Sequence, residues 1–298
     1  MPNRLNCRCS SCWYRPVRLS GAAVATPSID PSLAALLRQH HPAGLSAGCF
    51  LSLPGLSGQS VKITLPDATL VARQQPRPPL PFVDRRREYR VLKKLAAGHL
   101  VLPPLAADRH WLVQPWQTGE ELSPQTFSEH SYGITAQLIR LHHQPLTGYR
   151  LSVTSLLEQY WLLCREHHIH WLRHWRRLRQ RGEPAPLRLA PVHMDLHAGN
   201  VVQGSDGYRF IDWEYTADGD IAVDLAIISM NDPQHASHWI ACYARQSGIS
   251  SQRLARQVGH WRPWLSLLAA CWYQLRAEQT EHPQLRQLAR QSWQTLSF

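Results

Sequence analysis

His193-Met194-Asp195-Leu196-His197-Ala198-Gly199-Asn200 lies between apolar segments, and Asp212 closes one of them twelve residues after Asn200. Residues 187–192, 201–203 and 208–211 carry the Val, Leu, Ile and aromatic residues of short strands, with turn residues between them. The spacing therefore predicts strand, loop, strand. A carboxylate and a carboxamide share one tight loop, and a second carboxylate stands at a nearby strand end.

Phosphoryl transfer requires a carboxylate that accepts or orients the proton of the attacking hydroxyl. It also requires oxygen ligands that hold Mg²⁺ on the nucleotide phosphates. Asp195 suits the first role, and Asn200 with Asp212 the second. A few rigid oxygens suffice, because catalysis of this kind is mostly positioning and electrostatics. His193, opening the loop, is expected to brace the backbone and to have no part in the reaction.

Charge surrounds the loop unevenly. Asp195, Asp206, Asp212, Glu214, Asp218, Asp220 and Asp224 fall within thirty residues, opposed there by Arg209 alone. The whole chain of 298 residues carries 32 Lys+Arg against 21 Asp+Glu, a net charge of +11. An acidic focus in a basic protein suggests a bound cation, while Asp206 in Gly204-Ser205-Asp206-Gly207 reads as an ordinary surface turn. Lysine occurs only at Lys62, Lys93 and Lys94, so the remaining basic residues are arginines.

The hydrophobic share of 44% allows a sizeable core, and no apolar run reaches the ~18–20 residues that span a bilayer. Seven cysteines in a chain of this length read as a reduced, cytosolic protein. Cys7, Cys9 and Cys12 lack a fourth ligand at zinc spacing, and residues 1–29 read as a mobile N-terminal extension. Order is expected to begin at Asp30-Pro31, an N-cap before a proline. Strands are expected at 60–65, 69–73 and 111–114, and a basic helix at 83–95, ended by Gly98. Phe127, Ile134, Leu138 and Leu141 fit one helix, and the apolar residues from Leu157 to Leu178 fit a single long one. Its stretch 165–181 holds six arginines and four histidines, read as the solvated face of a packed helix. The C-terminal third reads as helical, with a break at Pro263.

The loop resembles that of the aminoglycoside phosphotransferase and choline kinase family, relatives of the protein kinases, and within it the bacterial thiamine kinase branch. The resemblance extends through Phe210-Ile211-Asp212-Trp213-Glu214-Tyr215 and Gly219-Asp220-Ile221-Ala222-Val223-Asp224-Leu225-Ala226. It implies an α+β, protein-kinase-like fold. A small N-terminal sheet lobe with one main helix, 30–115, would bind the nucleotide, and a larger mostly helical lobe, 116–298, would carry catalysis and the acceptor. Gly55, Ser57, Gly58 and Ser60 would form the phosphate loop, because glycines there let backbone N–H groups approach phosphate. Arg73 would replace the strand lysine of kinases, paired with Glu88 or leaving Glu88 in a surface ion pair, and Gln114–Trp116 would carry the adenine ring. Asp224 would cap or brace the loop.

The resemblance further implies ATP, Mg²⁺ and a small alcohol, often cationic, with thiamine as the expected acceptor. Trp213, Glu214, Tyr215, Asp218 and Asp220 directly follow the metal aspartate, and Trp264, Trp272 and Tyr273 lie on C-terminal helices. Aromatic faces and carboxylates suit a thiazolium. Trp213, Glu214, Tyr215, Asp218 and Trp272 are the expected acceptor contacts. The alternatives are a choline, aminoglycoside or other small-alcohol kinase, or a non-enzymatic protein binding RNA or another anion through 165–181. The expected partner is a small molecule, with neither a nucleic acid nor a membrane.

Overall fold

The computed structural model describes residues 29–41, 48–53 and 59–296. The expectations for Cys7, Cys9, Cys12, Gly55, Ser57 and Gly58 therefore lie outside the described residues.

Helix α1 (Pro31–His40) starts where its cap requires, with the Asp30 carboxylate accepting the N–H groups of Ser32 and Leu33. It lays Leu33, Leu36 and Leu37 on a cluster with Ile63, Leu70 and Trp111. Strands β1 (Cys49–Leu53), β2 (Ser60–Thr64), β3 (Thr69–Gln74), β4 (Ala106–Ala107) and β5 (Trp111–Pro115) form an antiparallel sheet of order β1-β2-β3-β5-β4. β1 and the short β4 are two strands more than the sequence patterning indicates. Helix α2 (Arg85–Ala97) connects β3 to β4, capped by Asp84 and stopped at Gly98. Its buried face carries Val91, Leu92 and Leu95, and also Arg85, Arg87 and Glu88. Arg73 lies on the central strand, opposite Ser60 on one side and Leu112 on the other.

The remainder is mainly helical. β6 (Glu120–Glu121) leads to α3 (Pro124–Glu129) and α4 (Ser131–His142), two helices where the apolar spacing suggests one. The single long helix expected from Leu157 to Leu178 is likewise divided into α5 (Val153–Leu163) and α6 (Ile169–Arg181). At the break Cys164 is extended, and the Glu278 carboxylate accepts the N–H groups of Arg165 and Glu166. A tertiary acceptor there stands in for the helical carbonyls.

Strands β7 (Leu189–Val192), β8 (Val201–Gly204) and β9 (Gly207–Phe210) lie where the sequence places them. β10 (Ala217–Asp220) is an addition, antiparallel to β7 and wholly buried, formed from part of the acidic run. Helices α7 (Ala222–Asn231), α8 (Ala236–Ser247), α9 (Ser251–Thr280) and α10 (Pro283–Thr295) complete the chain. α9 runs for 30 residues straight through Pro263, so the expected break is absent. Proline removes one backbone donor, and burial of Trp261, Trp264, Leu265 and Leu267 around it holds the helix together.

One apolar cluster runs from α2 and β5 to α9, joining the sheet to the helical part. Among the described residues, no helix is long and apolar enough to cross a membrane.

Candidate active site

β7 delivers the chain to His193 in the gap between β7 and β8. The Asp224 carboxylate, in the first turn of α7, accepts the backbone N–H of His193 at 2.9 Å and of Met194 at 2.8 Å. Met194 adopts a left-handed φ of 72°, a conformation that costs an L-residue ~1–2 kcal/mol. Charge-assisted bonds from a fully buried carboxylate offset that strain. His142 donates from Nε2 to the same carboxylate at 3.1 Å, and its Nδ1 accepts from the Tyr243 hydroxyl at 2.7 Å. Burial holds His142 below the ordinary imidazole range despite Asp224, so it supports the loop as a neutral ring.

His193 is buried and fastens the loop to the strand ahead of Asp212. Its Nε2 donates to the Ile211 carbonyl at 2.9 Å, and its Nδ1 accepts the Asp195 N–H at 3.3 Å. Asn200 is held against Asp195, its amide donating to the Asp195 carbonyl at 2.8 Å and to carboxylate Oδ2 at 3.0 Å. The other oxygen, Oδ1, is buried and has no hydrogen-bond partner among the described residues. Burial, with Asp212 and Glu214 nearby, pushes the Asp195 carboxyl well above the usual range. His197 Nε2 lies 4.0 Å from Asp195 Oδ2. Burial and His193 push His197 down to about 4, so it offers no compensating charge at neutral pH.

Asp212 also takes a left-handed φ, 65°. Its Oδ1 accepts from Arg73, and its Oδ2 has no protein partner among the described residues. Arg73 also donates to Glu88 at 2.8 Å and to Glu214 at 2.8 Å. Arg85 reinforces the group, reaching Glu88 at 2.6 Å and Glu214 at 3.0 Å. Burial works against the Arg73 charge, but Asp212, Glu88 and Glu214 outweigh it and raise its pKa. Glu88 is fully buried, so this is no surface ion pair. Lys62 stays apart, its ammonium 4.4 Å from the Trp116 ring centre.

Two clefts flank this centre. A cleft of about 260 Å³ between the sheet and the β8–β9 hairpin is lined by Ser60, Arg73, Gln114, Trp116, Asp212 and Trp213. Glu88 supports Arg73 from behind. A second, apolar slot is lined by Phe82, Tyr160, Met194, Tyr215, Leu268 and Trp272, among others, and none of its lining residues is acidic. Trp272 Nε1 donates to the Tyr215 hydroxyl at 2.9 Å.

The expected acceptor contacts are thus divided. Tyr215 and Trp272 line the slot, whereas Trp213 faces the other cleft, its indole donating to the Phe210 carbonyl at 3.0 Å. Glu214 is engaged by Arg73 and Arg85. Asp218 accepts from the Thr147 N–H and hydroxyl and the Gly148 N–H, all within 2.8 Å. Asp220 is buried under Gln257 and Trp261, and Trp264 and Tyr273 are core residues. Arg85, Arg87 and Phe82 escape sequence reasoning, because a run of arginines resembles a solvated helix face. The i,i+3 offset of Arg85 and Glu88 behind the Asp84 cap is the one clue to an inward ion pair.

Among the described residues no group of three or more His, Cys, Asp or Glu forms a metal cage. Mg²⁺ does not need one, since it commonly takes one or two protein carboxylates plus substrate phosphates. The open Oδ2 of Asp212 and the carboxamide of Asn200 are hard oxygen donors of the fitting kind.

The sequence profile of the phosphotransferase enzyme family matches residues 52–264. A thiamine kinase of Escherichia coli (strain K12) is 37% identical over 269 residues, 90% of this chain and 94% of that protein. A thiamine kinase of Escherichia coli O17:K52:H18 is 38% identical over 244 residues, 81% of this chain and 88% of its own length. Among solved structures, the Plasmodium vivax ethanolamine kinase superposes with a TM-score of 0.69 at 15% identity, covering 86% of this chain and 84% of that one. Choline kinase LicA from Streptococcus pneumoniae gives 0.65 at 17%, covering 82% and 92%. These two likenesses establish the protein-kinase-like fold. A profile match over most of the chain, taking in the loop, the larger cleft and the arginine network, makes it a member of the phosphotransferase enzyme family and, by class, a kinase.

Proposed function

We propose that the enzyme transfers the γ-phosphoryl group of ATP to the hydroxyethyl oxygen of thiamine, giving thiamine monophosphate and ADP. The observation that carries the substrate is the 37% identity to a thiamine kinase over 90% of this chain. The apolar slot beside Met194 supports it, since a flat cationic ring gains from aromatic faces about 0.5–2 kcal/mol per good contact.

In this reading the larger cleft takes ATP, with Gln114 and Trp116 at the adenine and Ser60 and Arg73 toward the phosphates. Held by Asn200 and Asp212, Mg²⁺ supplies charge neutralisation on the phosphate oxygens. Asp195 accepts the hydroxyl proton as the oxygen–phosphorus bond forms and the bond to ADP breaks. Its unpartnered Oδ1 is the available acceptor, and its raised pKa makes it a better base than an ordinary carboxylate. Asn200 holds Oδ2 and thereby the angle of the group. Glu214 and Asp218 serve structure and do not meet thiamine, and recognition of the cation falls to Tyr215 and Trp272.

An acceptor panel tests the reading. Purified protein with ATP and Mg²⁺ should release ADP with thiamine and not with choline or an aminoglycoside. Release with choline alone would leave the phosphotransferase standing and remove the substrate.

A further inference from the structure

The slot is not built from the helical lobe alone. Phe82 comes from the segment between β3 and α2, and its φ of 67° is left-handed, a conformation that persists in a bulky residue only where its surroundings over-determine it. Those surroundings are explicit. The Arg87 guanidinium lies 3.8 Å from the Phe82 ring centre. The same guanidinium donates to the carbonyls of Thr216, at 2.6 Å, and Glu214. Those carbonyls flank Tyr215, whose hydroxyl accepts from Trp272. Phe82, Arg87, Tyr215 and Trp272 thus form one chain of contacts spanning both lobes.

We infer that Phe82 is a specificity-determining wall of the acceptor slot, held in place by Arg87, and that it stacks on an uncharged flat ring of a two-ring acceptor. The inference rests on the slot being the acceptor site. Arg87 already occupies one face of Phe82 with positive charge. The free face is a poor seat for a second cation and a good one for a neutral heteroaromatic ring. Tyr215 and Trp272 are left to face the cationic ring that bears the hydroxyl arm. The acceptor class is therefore a neutral ring joined to a cationic one, not a compact ammonium alcohol.

The test compares thiamine with an N-methylated hydroxyethylthiazolium, which keeps the cation and the hydroxyl arm but lacks the pyrimidine. Phe82→Ala should raise the KM for thiamine about tenfold, against less than about threefold for the one-ring alcohol, with the KM for ATP unchanged. Leu268→Arg, which obstructs the slot from α9, should raise the KM for both alcohols. If Leu268→Arg changes neither, the slot is not the acceptor site and the inference falls with it. If Leu268→Arg raises both while Phe82→Ala raises neither, or raises both equally, the slot stands and the role of Phe82 is refuted.

Discussion

Arg73, on the central strand of the small sheet, donates from Nη2 to Oδ1 of Asp212, 139 residues away beyond the β8–β9 hairpin. The contact joins the half-buried Asp212 to a buried set of two guanidinium groups, Arg73 and Arg85, and two further carboxylates, Glu88 and Glu214. Two positive and three negative charges leave the whole group one negative charge in excess, which suits the proposed binding of Mg²⁺ there. The planar fork of arginine reaches three carboxylates at once, which a single ammonium could not do with the same geometry.

Removing Arg73 should therefore affect both stability and turnover. Arg73→Met strands buried carboxylates, at a cost of about 3–5 kcal/mol by analogy with other broken buried pairs. It should also raise the KM for ATP and lower kcat, while Lys62→Ala should do little to kcat. Urea midpoints and steady-state kinetics on the two variants check this. The reverse ranking would mean that Lys62 and not Arg73 serves the phosphates.

Asp195→Asn keeps the contact with Asn200 but removes the carboxylate proposed as base. A kcat loss of at least ~10²-fold is expected, with little change in ATP binding. The ligand-free variant should also be more heat-stable than the parent near pH 7. The parent's carboxyl has a folded-state pKa above its unfolded value, so its ionisation opposes folding at neutral pH. The advantage should shrink as pH falls into the ordinary carboxylate range. Near-normal turnover, or a neutral-pH melting temperature no higher than the parent's, would count against this role and environment.

Asp218 separates structure from recognition. Asp218→Ala leaves the backbone N–H groups of Thr147 and Gly148 without their acceptor. A stability loss of about 2–4 kcal/mol is expected from unsatisfied buried donors, with the KM for thiamine within about twofold of the parent's. A large rise in that KM without loss of stability would return the carboxylate to the ligand.

Stability should fall as pH is lowered from 7.5 to 5. His142, His174, His193 and His197 are all held below the ordinary imidazole value, chiefly by burial. Below about pH 6.5 the unfolded chain binds protons that the folded chain refuses, so stability is lost at up to ~1.4 kcal/mol per pH unit for each proton. For His197 the window extends down to about 4. Asp195, raised by burial, has the opposite sign and offsets part of this loss. Urea midpoints at three pH values measure the slope, and a flat or rising profile on acidification would contradict these imidazole environments.

The candidate loop is legible in sequence because the chemistry proposed for it demands particular side chains at fixed offsets. His193, Asp195, Asn200 and Asp212 announce themselves without tertiary information. The helix caps at Asp30 and Asp84 are equally local. What escapes is decided by partners distant in sequence. Asp218 and Asp220 look like carboxylates offered to a cation until β7 and the Thr147–Gly148 backbone are seen to pair with their segment. The stripe through α5 and α6 keeps its helical period across residues 164–168, where Glu278 takes two N–H groups out of the helix. Arg85 and Arg87 look solvated beside Arg86 until Glu88, Glu214 and the carbonyl of Thr216 are found facing them.

The central claim is that this centre moves a phosphoryl group from ATP onto the hydroxyethyl oxygen of thiamine with Asp195 as base. Phosphorus NMR of a reaction containing protein, ATP, Mg²⁺ and thiamine, run beside the Asp195→Asn variant, tests it most directly. The account predicts a monoester resonance of thiamine monophosphate growing in step with ADP for the parent and at least ~10²-fold more slowly for the variant. ADP accumulating with free phosphate and no thiamine ester, or equal ester formation by both proteins, would contradict it.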